Sequence, residues 1–397
     1  MRECVPMKVV LTGLQAEYNF GCPSILHGMD RLLHTLYGDS VEIVNYQTTQ
    51  PDPVAVADLP FPTKVNRTDY QTLCRCLKKR KGAAGDLELI ADLEQADFVV
   101  DLYGICFCDN LEKRDYRYLT MIARKRKASP ILFLAKKMGK KVIKNTASFG
   151  PMETEYNRKS AEYMTKHVYD VLCAREVQSK IALRHAVGNQ REILLSPDTA
   201  NLMDFTPQPR KLRVGISASH QIVKQWASEE GYVACMTKLG QYIHTLGAEI
   251  VFLPNEYDPN KADNDVAVCC QIQDALRQAG VESTVLDVLH MTSTELKNEI
   301  AACEVVVASR YHTCVAALSS GTPVLVLGWH YKYQELLSLY SQNQWLIRQD
   351  GCTAEKLVNL FGRFWNLREE NRETILAQYP AVKKKVLETG RLLYGGC

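Results

Sequence analysis

At 397 residues the chain is long for one hydrophobic core, so two domains are expected. With 46 % apolar and 23 % charged residues it has the make-up of a soluble globular protein, and a net charge of +3 says little about partners. No apolar run is long enough to span a bilayer, no small-residue cleavage pattern follows the first residues, and 14 cysteines without an export signal point to reduced thiols in a cytoplasm.

Lys8 to Leu14 reads as a first strand, followed by the loop Gln15 to Gly21. A helix from about Pro23 to Tyr37 carries Ile25, Met29, Leu32, Leu33 and Leu36 on one face. Val41 to Tyr46 gives a second strand, and residues 48–66, with four prolines, read as a long loop at the site edge and a candidate lid. Helices over 69–80 and 86–95 lead to the strand Ala96 to Asp101, whose loop holds Tyr103, Gly104 and Asp109. A helix near 129–138 feeds the strand Lys141 to Thr146. A helix over 154–167, the strand Val168 to Cys173, a further helix and the strand Ile193 to Leu195 follow, closed by Ser196-Pro-Asp198. The polar stretch Phe205 to Leu212 reads as a linker, so the domains are expected over 1–205 and 206–397. The second series runs through strands Leu212 to Ser217, Glu249 to Leu253 and Ser283 to Leu286, with helices over 231–246, 264–279 and 293–302. Helices from about Thr353 to Leu393 end the chain, one of them expected to return and brace the first domain. The alternation predicts two doubly wound, Rossmann-like α/β domains.

Val305 to Ala308 and Val324 to Leu327 have the branching of buried parallel strands, with a short helix from His312 to Ser320 between them. Arg310, His312, His330 and Lys332 therefore fall where two neighbouring strands end, the edge at which open α/β sheets bind ligands. Cationic and titratable groups converging there suit an anion, and His312 is the one poised to move protons near neutral pH. Asn19, Asp109, Arg175, Asp198 and His220 follow other expected strands, which implies a cleft between the domains. The pairs Cys74/Cys76 and Cys106/Cys108 lack the spacing and further ligands of a metal site, so no metal is expected. Lys113 to Lys144 is dense in Lys and Arg. One reading is a solvated face. The other is peripheral contact with an anionic membrane surface, or with the diphosphate of a lipid-linked sugar, with Leu132, Phe133 and Met138 as interfacial residues. No aromatic platform accompanies the cluster, which argues against nucleic acid.

Arg310-x-His312, followed by Ala316-x-Leu-x-x-Gly321-x-Pro323 and Lys332, resembles the polysaccharide pyruvyl transferase family. Upstream, Gly13, Asn19-x-Gly21, Gly150-Pro151, Arg175-Glu176-x-x-Ser179 and Pro197-Asp198 occur in the family's order. The resemblance implies a glycosyltransferase-B type pair of domains facing a cleft. It also implies transfer of the enolpyruvyl group of phosphoenolpyruvate to a sugar of a surface or capsular polysaccharide precursor, lipid-linked or nucleotide-linked, as a cyclic ketal. Phosphoenolpyruvate is then a co-substrate and no cofactor is implied. In this reading Arg310, Arg175 and Lys332 hold phosphoenolpyruvate, and His312 transfers protons. Asn19, Asp101, Tyr103, Asp109, Asp198, His220 and His330 face the acceptor. The chain departs from the family between Asp101 and Asp109, where only Gly104 remains of a glycine-rich run. The rival readings are a glycosyltransferase or sugar-nucleotide epimerase of the same architecture, and a non-catalytic glycan-binding member. A homo-oligomer is left open.

Overall fold

The computed structural model describes residues 7–109, 117–189, 191–226 and 228–395. Its first half begins β1 (Lys8–Thr12), α1 (Gly21–Tyr37), β2 (Glu42–Gln47), β3 (Thr63–Val65), α2 (Tyr70–Lys79) and α3 (Ala84–Gln95). It continues β4 (Phe98–Asp101), β5 (Ile105–Cys106), α4 (Tyr118–Ala128), α5 (Pro130–Lys137) and β6 (Lys141–Phe149), then α6 (Glu155–His167), β7 (Val171–Ala174), α7 (Val177–Val187) and β8 (Ile193–Leu195). After a 3₁₀ turn at Thr199–Leu202 come β9 (Lys211–Ser217), α8 (His220–Val223), α9 (Glu229–Thr245), β10 (Glu249–Phe252), α10 (Asp265–Gln278) and β11 (Thr284–Val285). The remainder is α11 (Ser293–Ala301), β12 (Cys303–Ala308), α12 (Tyr311–Ser319), β13 (Val324–Gly328), α13 (Tyr331–Leu339), β14 (Leu346–Arg348), α14 (Ala354–Asn366) and α15 (Arg368–Tyr394).

Two parallel sheets result, ordered β3-β2-β1-β4-β6-β7-β8 with β5 paired to β6, and β11-β10-β9-β12-β13-β14. Val305 to Ala308 and Val324 to Leu327 are buried on both faces, as strands covered by helices on either side require. Strand order reverses direction at β1 and again at β9, which opens a crevice beyond their carboxyl ends. Helix starts are fixed by short polar side chains: Asp69, Thr154 and Asn264 accept backbone N–H groups of α2, α6 and α10.

The halves share apolar packing. One continuous core takes Leu26, Met29 and Leu33 from α1, Cys314, Val315 and Leu318 from α12, and Ile375, Val386 and Leu393 from α15. The last helix crosses back to the first sheet, where Tyr394 donates to Asn145 (2.8 Å) and accepts at its carbonyl from Tyr37 (2.6 Å). Glu335 of α13 receives the N–H groups of Val177 and Gln178 at 2.5 and 2.8 Å, so a second-half carboxylate caps the first-half helix α7.

Three expectations are corrected. Residues 48–62 are a strapped loop rather than a lid: Ala55 and Phe61 are buried, and Asp52 accepts from Tyr257 (2.9 Å) while its N–H donates to Ala16 (3.0 Å). Leu132 and Phe133 face the core, so they form no interfacial patch. Part of the basic stretch is internal bracing: Lys144 is fully buried against Asp101 at 3.2 Å, and Lys136 pairs with Asp170. No helix among the described residues is long and apolar enough to cross a membrane.

Gly28 is where α1 meets the Thr199–Leu202 turn; an added Cβ there would lie 2.1 Å from the Thr199 carbonyl oxygen, which is backbone and cannot move aside. Gly28→Ala is therefore expected to destabilise by about 1–3 kcal/mol, as overpacked core substitutions do. Urea unfolding checks this, and an unchanged midpoint would show that the two segments do not touch as described.

Candidate active site

The crevice between the sheets holds a cavity of about 950 Å³ lined from both halves. The loop after β1 contributes Gln15, Asn19 and Gly21; the segment after β4 contributes Tyr103; the ends of β10, β12 and β13 contribute Glu256, Arg310 with His312, and Lys332.

Arg310 ends β12. Its Nε and Nη2 donate to Asp265 at 2.8 and 2.6 Å, and Nη2 also to Glu256 at 2.8 Å. Burial pushes the Asp265 pKa up, but the charge of Arg310 and the hydrogen bonds from His220 and Arg310 outweigh it and leave it at about 2. His220 sits behind this pair, Nδ1 3.1 Å from Asp265 and 2.9 Å from Arg310. Nη1 of Arg310 makes no hydrogen bond among the described residues and remains for a ligand.

Arg175 ends β7 and is buried. Nε donates to Glu176 (2.9 Å), Nη1 to Asp198 (2.5 Å) and Nη2 to Ser148 (2.6 Å), so each nitrogen of the fork is already used. Its guanidinium carbon lies 4.1 Å from the centre of the Tyr311 ring. Asp198 also caps the Thr199–Leu202 turn through Ala200. Burial raises its pKa, yet the facing His312 and the Arg175 charge hold it well below the usual carboxylate range.

His312 lies in the first turn of α12. Its Nε2 faces Asp198 Oδ2 at 3.7 Å, is shut off from water and has no hydrogen-bond partner. The other side of the ring rests on Gly21: a Cβ there would stand 2.5 Å from His312 Nδ1. The glycine at the start of α1 is thus the room the imidazole needs.

Lys332 is buried without any carboxylate or hydrogen-bond partner for its ammonium among the described residues. Instead Nζ stands 5.5, 5.0 and 5.3 Å from the ring centres of Tyr311, Trp329 and Tyr333. Burial first, then the Arg175 charge, bring its pKa down to about 7. Its backbone N–H donates to His330 Nδ1 at 3.2 Å, which makes His330 the cap of α13. Burial and the Lys332 charge lower the His330 pKa to about 4, so the imidazole is neutral and keeps that acceptor lone pair.

The structure gathers Arg310, His312, Lys332, Arg175, Asn19 and Tyr103 on one cavity. Asn19 holds its own loop, accepting from the Cys22 N–H (2.9 Å) and donating to the Gln15 and Glu17 carbonyls. Tyr103 is half-exposed on the wall. Asp198 and His220 stand directly behind the cavity. Asp101 is occupied by Tyr169, Lys144 and the Tyr103 N–H, and Asp109 by Thr154, Asn157 and two backbone N–H groups at the start of α6. Both act as internal supports, as does the capping His330. Sequence reasoning missed Asp265, Glu256 and the rings of Tyr311, Trp329 and Tyr333. Asn264-Asp265 reads as a helix start, and the only available signal was that a capping asparagine leaves the next carboxylate spare.

Several solved structures share this architecture. A putative UDP-N-acetylglucosamine 2-epimerase from Listeria monocytogenes superposes with a TM-score of 0.57 at 15% identity, covering 93% of this chain and 90% of that one. The Anabaena protein Alr3699/HepE in complex with UDP-glucose gives 0.58 at 10% identity over 97% of both chains, and Staphylococcus aureus MnaA with UDP gives 0.53 at 14%, covering 93% and 90%. At such identities the likeness defines the fold alone: paired parallel-sheet α/β domains of the glycosyltransferase-B type. No curated protein sequence matches the chain. The sequence profile of the polysaccharide pyruvyl transferase family does, over residues 27–331, and the chain belongs to that family of transferases.

Removing Arg175 would strand two buried carboxylates. Arg175→Met is expected to lose about 3–5 kcal/mol in urea unfolding, the usual consequence of breaking a buried pair from one side. A loss below about 1 kcal/mol, the range of exposed pairs, would mean that the cluster is hydrated.

Proposed function

We propose that this cleft takes the enolpyruvyl unit of phosphoenolpyruvate and places it on two neighbouring hydroxyls of a sugar in a polysaccharide precursor, lipid-linked or nucleotide-linked, as a cyclic ketal. The observation that carries the reading, beside family membership, is Lys332: a buried lysine with no ion-paired carboxylate among the described residues, opening on the same cavity as His312. Such a group is costly unless an anion completes it.

Lys332 and the spare Nη1 of Arg310 hold the phosphate and carboxylate of phosphoenolpyruvate. A proton delivered to the methylene carbon leaves C2 cationic, one sugar hydroxyl adds there, the C2–O bond to phosphate breaks, and the second hydroxyl closes the ring. Two hydroxyl protons are released: one balances the proton placed on carbon and the other leaves with phosphate. His312 relays these protons, and Asp198, held by Arg175, faces its Nε2 at 3.7 Å. Arg175 is a positioning residue. Side chains supply the positive charge, so the scheme invokes no cofactor. A second reading, a nucleotide-sugar enzyme, draws on the UDP and UDP-glucose bound by the structural neighbours; it requires UDP rather than phosphoenolpyruvate to raise the melting temperature.

With its pKa lowered from 10.5 to about 7, Lys332 loses its charge as pH rises through neutrality. The phosphoenolpyruvate kcat/KM, which reports the free enzyme, is expected to fall above about pH 7, while Lys332→Arg removes that limb. His312→Ala is expected to lower kcat by about 10²–10⁴-fold in a phosphate-release assay with a panel of lipid-linked and nucleotide-linked sugars. Wild-type turnover in His312→Ala, or no phosphoenolpyruvate binding by the native protein, sinks the reading.

A further inference from the structure

We propose that Cys235 and Cys352, on neighbouring elements of the second half, form a reversible disulfide in response to hydroperoxides, with Cys352 the thiol that reacts first. The inference stands apart from the pyruvyl-transfer reading, because neither sulfur lines the cleft.

Cys235 lies on α9 and Cys352 in the turn before α14. The two helices pack on each other: Cys235, Leu239 and Ile243 share one apolar core with Leu357, Phe361 and Phe364. Tyr242 of α9 meets Phe361 edge to face, with ring centres 6.3 Å apart. The turn is also fixed. Gly351 takes a φ of 86°, the Cys352 N–H donates to the Gln349 carbonyl (3.2 Å), and Thr353 caps α14 by accepting the Lys356 N–H (3.3 Å). Between these two anchored backbones the thiols hydrogen-bond to each other. A disulfide requires two sulfurs brought together with little backbone movement, and the reduced fold already supplies that.

The pair is chemically unequal. Cys235 is buried, and its hydrogen bond to Cys352, together with burial, pushes its pKa up, so it remains the protonated donor. Cys352 is half-buried. The hydrogen bond from Cys235 pulls its pKa below the ordinary thiol value; burial works against this, and the Lys356 charge reinforces it. Lys356 is held there, its ammonium donating to the Gly351 carbonyl at 2.8 Å. Cys270 is more exposed, but partial burial and the Asp274 charge push its thiol the other way. Burial likewise pushes Cys22 up to about 11. A thiol with thiolate character, access to solvent and a second thiol in contact is the arrangement of a peroxide-responsive cysteine.

The chemistry runs in two steps. The Cys352 thiolate attacks the outer oxygen of the hydroperoxide and the O–O bond breaks. The other oxygen leaves with the electron pair and takes a proton from water, giving an alcohol or water. Cys352 is then a sulfenic acid, oxidised by two electrons while the peroxide is reduced. Cys235 attacks that sulfur, the S–O bond breaks, and the hydroxyl departs as water with the Cys235 proton. A small thiol reverses the bond by exchange through a mixed disulfide. Transient bonds of this kind are the disulfides that a reducing compartment permits.

The test is hydrogen peroxide added to the reduced full-length protein, then blocking with iodoacetamide and non-reducing peptide mapping by mass spectrometry. A linked pair of peptides carrying Cys235 and Cys352 is expected, and dithiothreitol should abolish it. In Cys235→Ala, dimedone added with the peroxide is expected to label Cys352, because no second thiol removes the sulfenic acid. Lys356→Gln should slow disulfide formation several-fold. In the reduced native protein at neutral pH, iodoacetamide should alkylate Cys352 about tenfold faster than Cys270, following thiolate fraction. Oxidised protein without the linked peptides, a disulfide joining other cysteines instead, or dimedone on Cys270 in place of Cys352 overturns the proposal. The map of the native protein decides the matter even where a variant does not fold.

Discussion

The ion pair between Arg175 and Asp198, shut away from water under Tyr311, sets the position of everything in front of it. Arg175 ends β7, Asp198 follows β8, and the turn that Asp198 caps packs on α1 at Gly28. Tyr311 brings α12 of the other half onto the guanidinium, and the next residue is His312. Two strand ends, a helix start and the imidazole are thus referred to one buried charge cluster. Dehydrating such charges costs several kcal/mol for each ion. Here each nitrogen of the guanidinium makes one hydrogen bond, two of them to carboxylates, which offsets part of the cost and fixes the geometry.

In front of that cluster, the distribution of satisfied and unsatisfied charge separates support from function. Arg175 is held by Glu176, Asp198 and Ser148, Arg310 is largely spent on Asp265 and Glu256, and Lys332 has no hydrogen-bonded or ion-paired partner among the described residues. A protein has no stability reason to bury a lysine among three aromatic rings without a counter-ion. The site tolerates it because His330 next door is neutral and because the rings stabilise a cation at modest distance.

The architecture was legible because β-branched runs at Val305 to Ala308 and Val324 to Leu327 leave few alternatives to buried parallel strands. The polar residues fell after those strands in an order that located the crevice. What a sequence does not display is which polar group is already taken. Asp109 follows a strand as a ligand residue would, but its partners Thr154 and Asn157 come from a helix more than forty residues away in sequence. Asp101 looks free until Lys144 and Tyr169 are brought to it by β6 and the segment before β7. Asp265 was invisible for the opposite reason, since an acidic residue opening a helix already has a bland explanation. The helix α4 escaped because only Met121 of it is buried, so it has no apolar stripe. Leu132 and Phe133 misled because lysines on both sides suggested a surface, whereas α5 turns its apolar residues inward.

The cap that Glu335 places on α7 and the apolar contacts of α1, α12 and α15 run one continuous core through the junction between the halves. Paired Rossmann-like domains often open and shut about a loose seam; this pair is welded. Cutting the chain between β8 and β9 would therefore bare the apolar faces of α1, α12 and α15 to water.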